Sequence, residues 1–406
     1  MKQKKIGWIA LLMAICILFG CIFTVGAEED RAPNEDRVPE TEQATLSDMG
    51  VEEGSLKLPC KSAILMEATT GCILYAQNAE EALPPASVTK IMTLLLVMEA
   101  IDDGMVRLDD TVTVSETAAS MGGSQVYLKV GEQMKLEDLL KSVVIASAND
   151  AAVALAEHLC GSVPIFVEKM NAKAKQLGME NTVFENVTGL DDTAESHLTS
   201  AHDIALMSRE LLRHPTILQY SSIWMDTIRD GAFGLTNTNR LVRFYQGCTG
   251  LKTGSTSKAG FCVSVSAERN GFSLICVIMG AESSDVRNAT ATSLLDWGFA
   301  GYGLYQSPTS EIDPLKVVGG KQDSCRAAYP SFSCVLPKNE IGKVNIQTVL
   351  PENIQAPVRA GDAIGEAQFF VGEKKIGAVS VTSLETVEKI GFFDVLFRIF
   401  TKFLMI

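Results

Sequence analysis

Pro85-Ala86-Ser87-Val88-Thr89-Lys90-Ile91-Met92-Thr93 is the stretch on which the reading of this chain turns. Pro84 and Pro85 break what precedes it. Leu94, Leu95, Val97, Met98 and Ile101 then recur at helical spacing, so a helix is predicted to begin near Ser87. Residues three apart on a helix share a face, which lets the Lys90 amine reach the Ser87 hydroxyl. A helix start also offers unpaired backbone N–H groups and the positive end of the dipole, both of which favour an oxyanion nearby. Taken alone, the same four residues describe an ordinary capped helix.

Two further elements change that balance. In Ser147-Ala148-Asn149 the two polar residues are one apart, so an extended or tightly turned segment points both the same way. Ser147 can relay a proton between Lys90 and a leaving amine. Asn149 can hold a substrate amide, cap the next helix, or do both. Lys252-Thr253-Gly254 precedes a strand-rich segment. A strand edge there offers backbone groups to a peptide-like substrate, and Gly254 allows close approach. Lys252 and Thr253 can bind a terminal carboxylate, while the N–H of Ser255 can complete an oxyanion hole with that of Ser87. The bland alternative for this element is a turn with a surface lysine. Lys90 serves as a base only when neutral, and burial together with the Lys252 charge would both lower its pKa. A nucleophile, a base, a second hydroxyl with an amide, and a cation make a kit for acyl transfer through a serine ester.

The rest of the chain sets the context. It has 406 residues and a formal net charge of -14, which argues against nucleic acid as a partner. Hydrophobic residues make up 47%, enough for a sizeable core. Lys2, Lys4 and Lys5 precede an apolar run over 6–25 that ends in Val25-Gly26-Ala27, the layout of an export signal over residues 1–27. Residues 28–57 are acidic, contain Pro33 and Pro39, and read as a flexible tether. Removing the signal takes Cys16 and Cys21 with it. Of the cysteines that remain, Cys262 and Cys276 sit in apolar runs as small hydrophobes, and Cys325 and Cys334 are the expected disulfide pair. No Cys-x-x-Cys occurs, and neither a metal site nor a cofactor is expected.

Coarse periodicity predicts a hairpin around Ala68-Thr69-Thr70-Gly71, then helices over 136–146, 150–159, 163–177 and 200–212. Strands over 261–267 and 272–279 follow, joined at Asn270-Gly271 by a type I′ turn, and then a helix over 286–299. The fold class is therefore α+β: an antiparallel sheet with helices on both faces and a helical subdomain, over residues 58–306. Residues 307–385 alternate short apolar runs with turns and read as a small all-β sandwich. In 386–406, Phe393, Leu396, Phe397, Phe400, Phe403 and Leu404 share one helical face, while Asp394, Arg398, Thr401 and Lys402 share the other. This amphipathic helix is expected to lie in a membrane surface, since its charges exclude a span.

The three elements, with Ser147-Ala148-Asn149-Asp150-Ala151-Ala152, Gly250-Leu251-Lys252-Thr253-Gly254-Ser255-Thr256-Ser257 and Asn186-Val187-Thr188-Gly189-Leu190 before His197, resemble the low-molecular-mass penicillin-binding proteins. Those are serine-type D-alanyl-D-alanine carboxypeptidases with a β-lactamase/transpeptidase-like fold. The resemblance runs over 61–299 and, more loosely, over the β domain and terminal helix. It implies that Ser87 is the nucleophile, Lys90 the base, Ser147 the second serine and Lys252 a substrate-binding cation. It further implies a peptidoglycan pentapeptide stem as substrate and β-lactam antibiotics as acylating inhibitors, and the export signal and terminal helix independently fit a place on the outer face of the cytoplasmic membrane. Two rivals remain at this point. A class A β-lactamase shares the triplet but needs a Glu-x-x-x-Asn loop, for which Glu185-Asn186 is no convincing equivalent. A non-catalytic wall-binding relic would have no reason to keep all five polar residues. His197 is expected to be a satisfied loop histidine, and Trp224 and Tyr245 core or cleft wall.

Overall fold

The computed structural model describes residues 57–191 and 194–404; the export signal and nearly all of the acidic tether lie outside the described residues. Strand β1 (Ser62–Glu67) is buried at every position. Its successive side chains part to opposite sides: Ile64 and Met66 enter one apolar cluster, Ala63 and Leu65 another. A strand that is apolar on both faces must be covered on both. It joins β2 (Ile73–Gln77), β3 (Cys248–Thr256), β4 (Gly260–Arg269) and β5 (Phe272–Ala281) in one antiparallel sheet of order β2-β1-β5-β4-β3. The β4–β5 turn has positive φ at Asn270 (55°) and Gly271 (75°), the conformation a type I′ turn requires.

One face of the sheet carries the helical layer: α1 (Lys90–Asp102), α2 (Leu136–Val144), α3 (Asn149–Cys160), α4 (Val163–Gln176) and α5 (Ala201–Leu212). Helix α3 runs through the middle of this layer and is buried from Asn149 to Ala156. Ser200 caps α5, its Oγ accepting from the Asp203 N–H at 3.1 Å, as the Thr199-Ser200 pair suggested. Helix α6 (Ser284–Gly301) covers the opposite face with Ala291, Leu294, Leu295 and Phe299. The expected α+β arrangement is thus present.

The predicted start of α1 needs correction. Ser87 lies in a 3₁₀ turn over Ala86–Thr89, and the α-helix begins only at Lys90. The change helps the chemistry, because three residues per turn stack i directly under i+3.

Past α6 the chain forms two sheets. Strands β6 (Tyr302–Ser307) and β9 (Phe332–Pro337) pair antiparallel. The other sheet holds β7 (Ser310–Val318), β8 (Ser324–Tyr329), β10 (Val344–Val349), β11 (Ile354–Gln355), β12 (Ala363–Val371) and β13 (Lys374–Ser383), in order β10-β12-β13-β8-β7-β11. Phe369 is fully buried between them, stacked on Phe332 with ring centroids 4.1 Å apart and met edge-on by Tyr305 and Tyr329.

The expected Cys325–Cys334 disulfide is absent; the eight described cysteines are all free. Strand membership explains the error. Cys325 sits on β8 in a cluster with Val317, Ile354, Val358 and Val387, its Sγ 3.0 Å from Ser383 Oγ. Cys334 sits on β9 in the other sheet, against the cluster around Phe369. The short connection between the two strands carries them to different cores.

Helix α7 (Phe392–Leu404) ends the described chain. Phe393, Phe397, Phe400 and Phe403 are 58–80% exposed, whereas Arg398 turns inward to Asp323 at 3.1 Å. Arg398 thus ties the helix to the β domain while its aromatic face stays uncovered. Among the described residues no single helix is long and apolar enough to cross a membrane.

Candidate active site

The site is built where the 3₁₀ turn meets the sheet's last strand. Ser87 is carried on that turn, and Lys90, fully buried, follows it by three residues. Lys90 Nζ lies 2.9 Å from Ser87 Oγ and donates to the main-chain carbonyl of Thr188 at 2.8 Å. Burial pushes the Lys90 pKa well below its ordinary value, and the Lys252 charge pushes it the same way, while Asp150 opposes them. A neutral Nζ has one lone pair, and Ser87 Oγ–H is the donor within its reach. The amine lies where a base for Ser87 would have to be.

The Thr188 carbonyl is aimed by its own turn. Asn186 Oδ1 accepts from the N–H groups of Thr188 and Gly189 at 3.1 and 2.7 Å, and its Nδ2 donates to Leu190 O at 2.8 Å. Gly189 has φ 78°, and a Cβ there would fall 1.8 Å from Ala86 O. Only a glycine lets this turn lie on the nucleophile turn. His197 staples the same two segments: Nδ1 accepts from the Glu185 N–H at 3.0 Å, so Nε2 carries the proton and donates to Thr89 Oγ1 at 2.7 Å. Burial pushes its pKa down to about 4, which keeps it neutral. It is the satisfied histidine the sequence suggested.

Ser147 occupies the turn between α2 and α3 with φ 61° and 4% exposure. Among the described residues no hydrogen bond joins it to Lys90. Asn149 is not the helix cap; Ala148 holds that position and makes no side-chain cap. The Asn149 Nδ2 instead donates to Gly122 O at 2.7 Å, leaving Oδ1 buried without a partner. A buried orphan acceptor costs about 1–3 kcal/mol and marks a place where a ligand N–H would be welcome. Asp150, next in the chain, accepts from the N–H groups of Val126 and Leu128 and so fixes the segment that Gly122 begins.

Strand β3 forms the facing wall. Lys252 is fully buried and donates to Thr253 O at 2.9 Å. Thr253 Oγ1 donates to Thr238 Oγ1 at 2.8 Å. Gly254 has a reason beyond access for a substrate. A Cβ there would lie 2.8 Å from Ser87 N, 2.9 Å from Pro85 O and 2.9 Å from Val88 N. The bare backbone of β3 thus seats the nucleophile turn, and puts the Ser87 N–H beside the strand that carries Ser255, which is exposed. The described contacts join Ser87 to Lys90 and Gly254, and Lys252 to Thr253; they do not tie Ser147, Asn149 or Ser255 to the others.

Sequence reading missed three participants. The Thr188 acceptor is a main-chain atom and leaves no signature. Asp191 and Arg287 lie outside the motifs. Arg287, on α6, is 5% exposed, and its charge, after burial itself, holds the Lys252 pKa down to about 7.

These pKa positions set a pH profile. Base catalysis needs Lys90 neutral, so kcat/KM climbs as pH rises through the lowered Lys90 pKa. If Lys252 binds the substrate carboxylate it must be charged, so kcat/KM would fall as pH passes about 7. An alkaline limb near neutrality is then expected, and Lys252→Arg, which stays charged, should move that limb upward. An unchanged alkaline limb in the arginine variant counts against Lys252 as its source.

Residues 49–283 match the peptidase family described as D-alanyl-D-alanine carboxypeptidase, and residues 309–389 match the C-terminal domain of penicillin-binding protein 5. The chain belongs to the D-alanyl-D-alanine carboxypeptidase family. It is 41% identical to the D-alanyl-D-alanine carboxypeptidase DacF of Bacillus subtilis, over 86% of this chain and 91% of that protein. It is 33% identical to DacC of Escherichia coli, over 81% and 84%. Penicillin-binding protein 5 from Haemophilus influenzae superimposes with a TM-score of 0.75 at 31% identity, over 83% of this chain and 100% of that one. Penicillin-binding protein D2 from Listeria monocytogenes, solved with ampicillin bound, gives 0.56 at 33% identity, over 61% and 100%. The carboxypeptidase is a serine hydrolase, and neither the β-lactamase nor the non-catalytic rival is favoured.

Proposed function

We propose that this carboxypeptidase removes the terminal D-alanine from peptidoglycan pentapeptide stems through an ester on Ser87. The observation that carries the reading is the buried Lys90 amine 2.9 Å from Ser87 Oγ, on a turn held against β3. Lys90 takes the Ser87 proton as Oγ attacks the carbonyl between the last two residues. The N–H groups of Ser87 and Ser255 receive the oxyanion. The C–N bond breaks, and the leaving D-alanine amine takes a proton delivered from Lys90 through Ser147. Water, deprotonated by the same base, then cleaves the ester and frees Ser87. Asn149 Oδ1 accepts a substrate amide N–H, and Lys252, Thr253 and Arg287 hold the terminal carboxylate.

A β-lactam would acylate the same Ser87 and leave slowly. Free D-alanine released from a purified pentapeptide stem, followed by the lifetime of the penicilloyl ester on Ser87, tests the scheme. Release with an ester lasting minutes or more supports it. No release, or an ester gone within seconds, overturns it. Arg287→Ala should raise KM for a peptide with a free terminal carboxylate by about tenfold, in keeping with loss of a charge-assisted bond. It should leave the KM of the terminal amide unchanged.

The exposed aromatic face of α7 supports attachment to a membrane surface, with the carboxypeptidase exported and held on the outer face of the cytoplasmic membrane. Fully burying one Phe contributes about 1.5–3 kcal/mol, so several together suffice for reversible attachment. Phe393→Ser with Phe397→Ser should move the protein from sedimented lipid vesicles to the supernatant. Retention of the double variant on vesicles would refute the assignment.

A further inference from the structure

The turn that aims Thr188 at Lys90 also reaches the end of β3 and the turn that follows it. Asp191 is 8% exposed, and its Oδ2 accepts from Thr256 Oγ1 at 2.5 Å. Thr256 is the last residue of β3, directly after Ser255. The same threonine oxygen accepts from the Ala259 N–H at 3.0 Å, which closes the β3–β4 turn. Lys258, in that turn, donates from Nζ to the main-chain carbonyl of Asp191 at 2.7 Å. On its other side the segment is anchored by Glu185, whose carboxylate accepts from the N–H groups of Glu195 and Ser196 at 3.1 and 2.9 Å. One short stretch therefore holds the acceptor of the base and the end of the strand that bears the second oxyanion donor.

We infer that Asp191 is a positioning residue: its bond to Thr256 fixes the Ser255 N–H at the distance from Ser87 that the oxyanion requires. The inference rests on the oxyanion role given to Ser255 above. Asp191 touches neither nucleophile nor base, so it acts only through the strand end. A donor displaced by about 1 Å loses rate steeply, while a substrate gripped by its carboxylate at Lys252, three residues earlier on β3, keeps its affinity. The contact thus bears on kcat rather than KM.

The experiment uses the full chain with four variants: Asp191→Ala, Thr256→Val, and the conservative Asp191→Asn and Thr256→Ser. Acylation by a fluorescent penicillin is timed, and kcat and KM are measured on a peptide ending in D-alanyl-D-alanine. In Asp191→Ala and Thr256→Val, kcat and the acylation rate should fall about tenfold with KM within about twofold. Asparagine and serine, which still complete the bond, should restore most of the rate. The Asp191→Ala, Thr256→Val double variant should be no slower than the slower single, because the two groups form one contact. The inference is overturned if KM carries the change, if the single losses multiply, or if the conservative variants are as slow as the truncations. Should Asp191→Ala fail to fold, the near-isosteric Thr256→Val and its serine counterpart decide alone. If the unaltered protein releases no D-alanine, the reading of the site fails instead.

Discussion

Replacing Ser87 by alanine or Lys90 by methionine is expected to lower D-alanine release by about a thousandfold or more, and the double variant should lose no more than either alone. The alanine variant has no oxygen to form the ester, so labelling by fluorescent penicillin should vanish. The methionine variant keeps the hydroxyl but removes the amine 2.9 Å from it. Positioned general bases contribute about 10² to 10⁴ in rate, and groups that work as a unit lose their effect together. Methionine suits this test because Lys90 is fully buried. It fills similar volume and leaves the buried Thr188 carbonyl short of a partner, at about 1–3 kcal/mol, beside the Ser87 hydroxyl. The measurements are release of free D-alanine, the acylation rate and the melting midpoint. Losses that multiply in the double variant, or full acylation by Lys90→Met, would sink the pairing of these two groups.

Much of this arrangement was legible in the sequence, and the remainder was hidden for definite reasons. Ser87, Lys90, Lys252 and Gly254 could be read because side-chain chemistry at fixed spacing is a sequence property. The helix cap at Ser200 and the turn at Asn270-Gly271 were equally local and equally readable. What depended on tertiary contact was not. The 3₁₀ start at Ala86–Thr89 lies between Gly189 and Gly254, tertiary neighbours that no propensity of the four residues announces. The same holds for Asn149. Its spacing before an apolar run suits a cap, yet its amide is claimed by Gly122 O from a segment 27 residues earlier. Cys325 and Cys334 misled because nearness in sequence says nothing about which sheet a strand joins. Arg287 could be seen only once α6 had folded over the sheet.

Gly254→Val should be the most damaging change that touches no polar atom of the site, with acylation slowed about a hundredfold and the fold retained. The argument is steric. The first carbon of any side chain at this position meets Ser87 N at 2.8 Å and Pro85 O and Val88 N at 2.9 Å, and these are main-chain atoms that cannot rotate away. Either β3 or the nucleophile turn must move by a few tenths of an ångström or more. The turn is held on its far side by Gly189 against Ala86 O and by His197 on Thr89, so the strand gives first. Moving it opens the gap between the Ser87 and Ser255 N–H groups, and a shift near 1 Å costs about 10²-fold in rate. Overpacking of this kind takes about 1–3 kcal/mol from stability, less than a whole domain possesses. Lys252 and Arg287 remain, so the carboxylate of a product-like peptide should still bind. The acylation rate, the affinity for that peptide and the melting midpoint together separate the outcomes. Slow acylation with retained binding and a cooperative transition is the expected result. Acylation within about twofold of the parent would show that the contact between Gly254 and Ser87 does not set the reactive geometry.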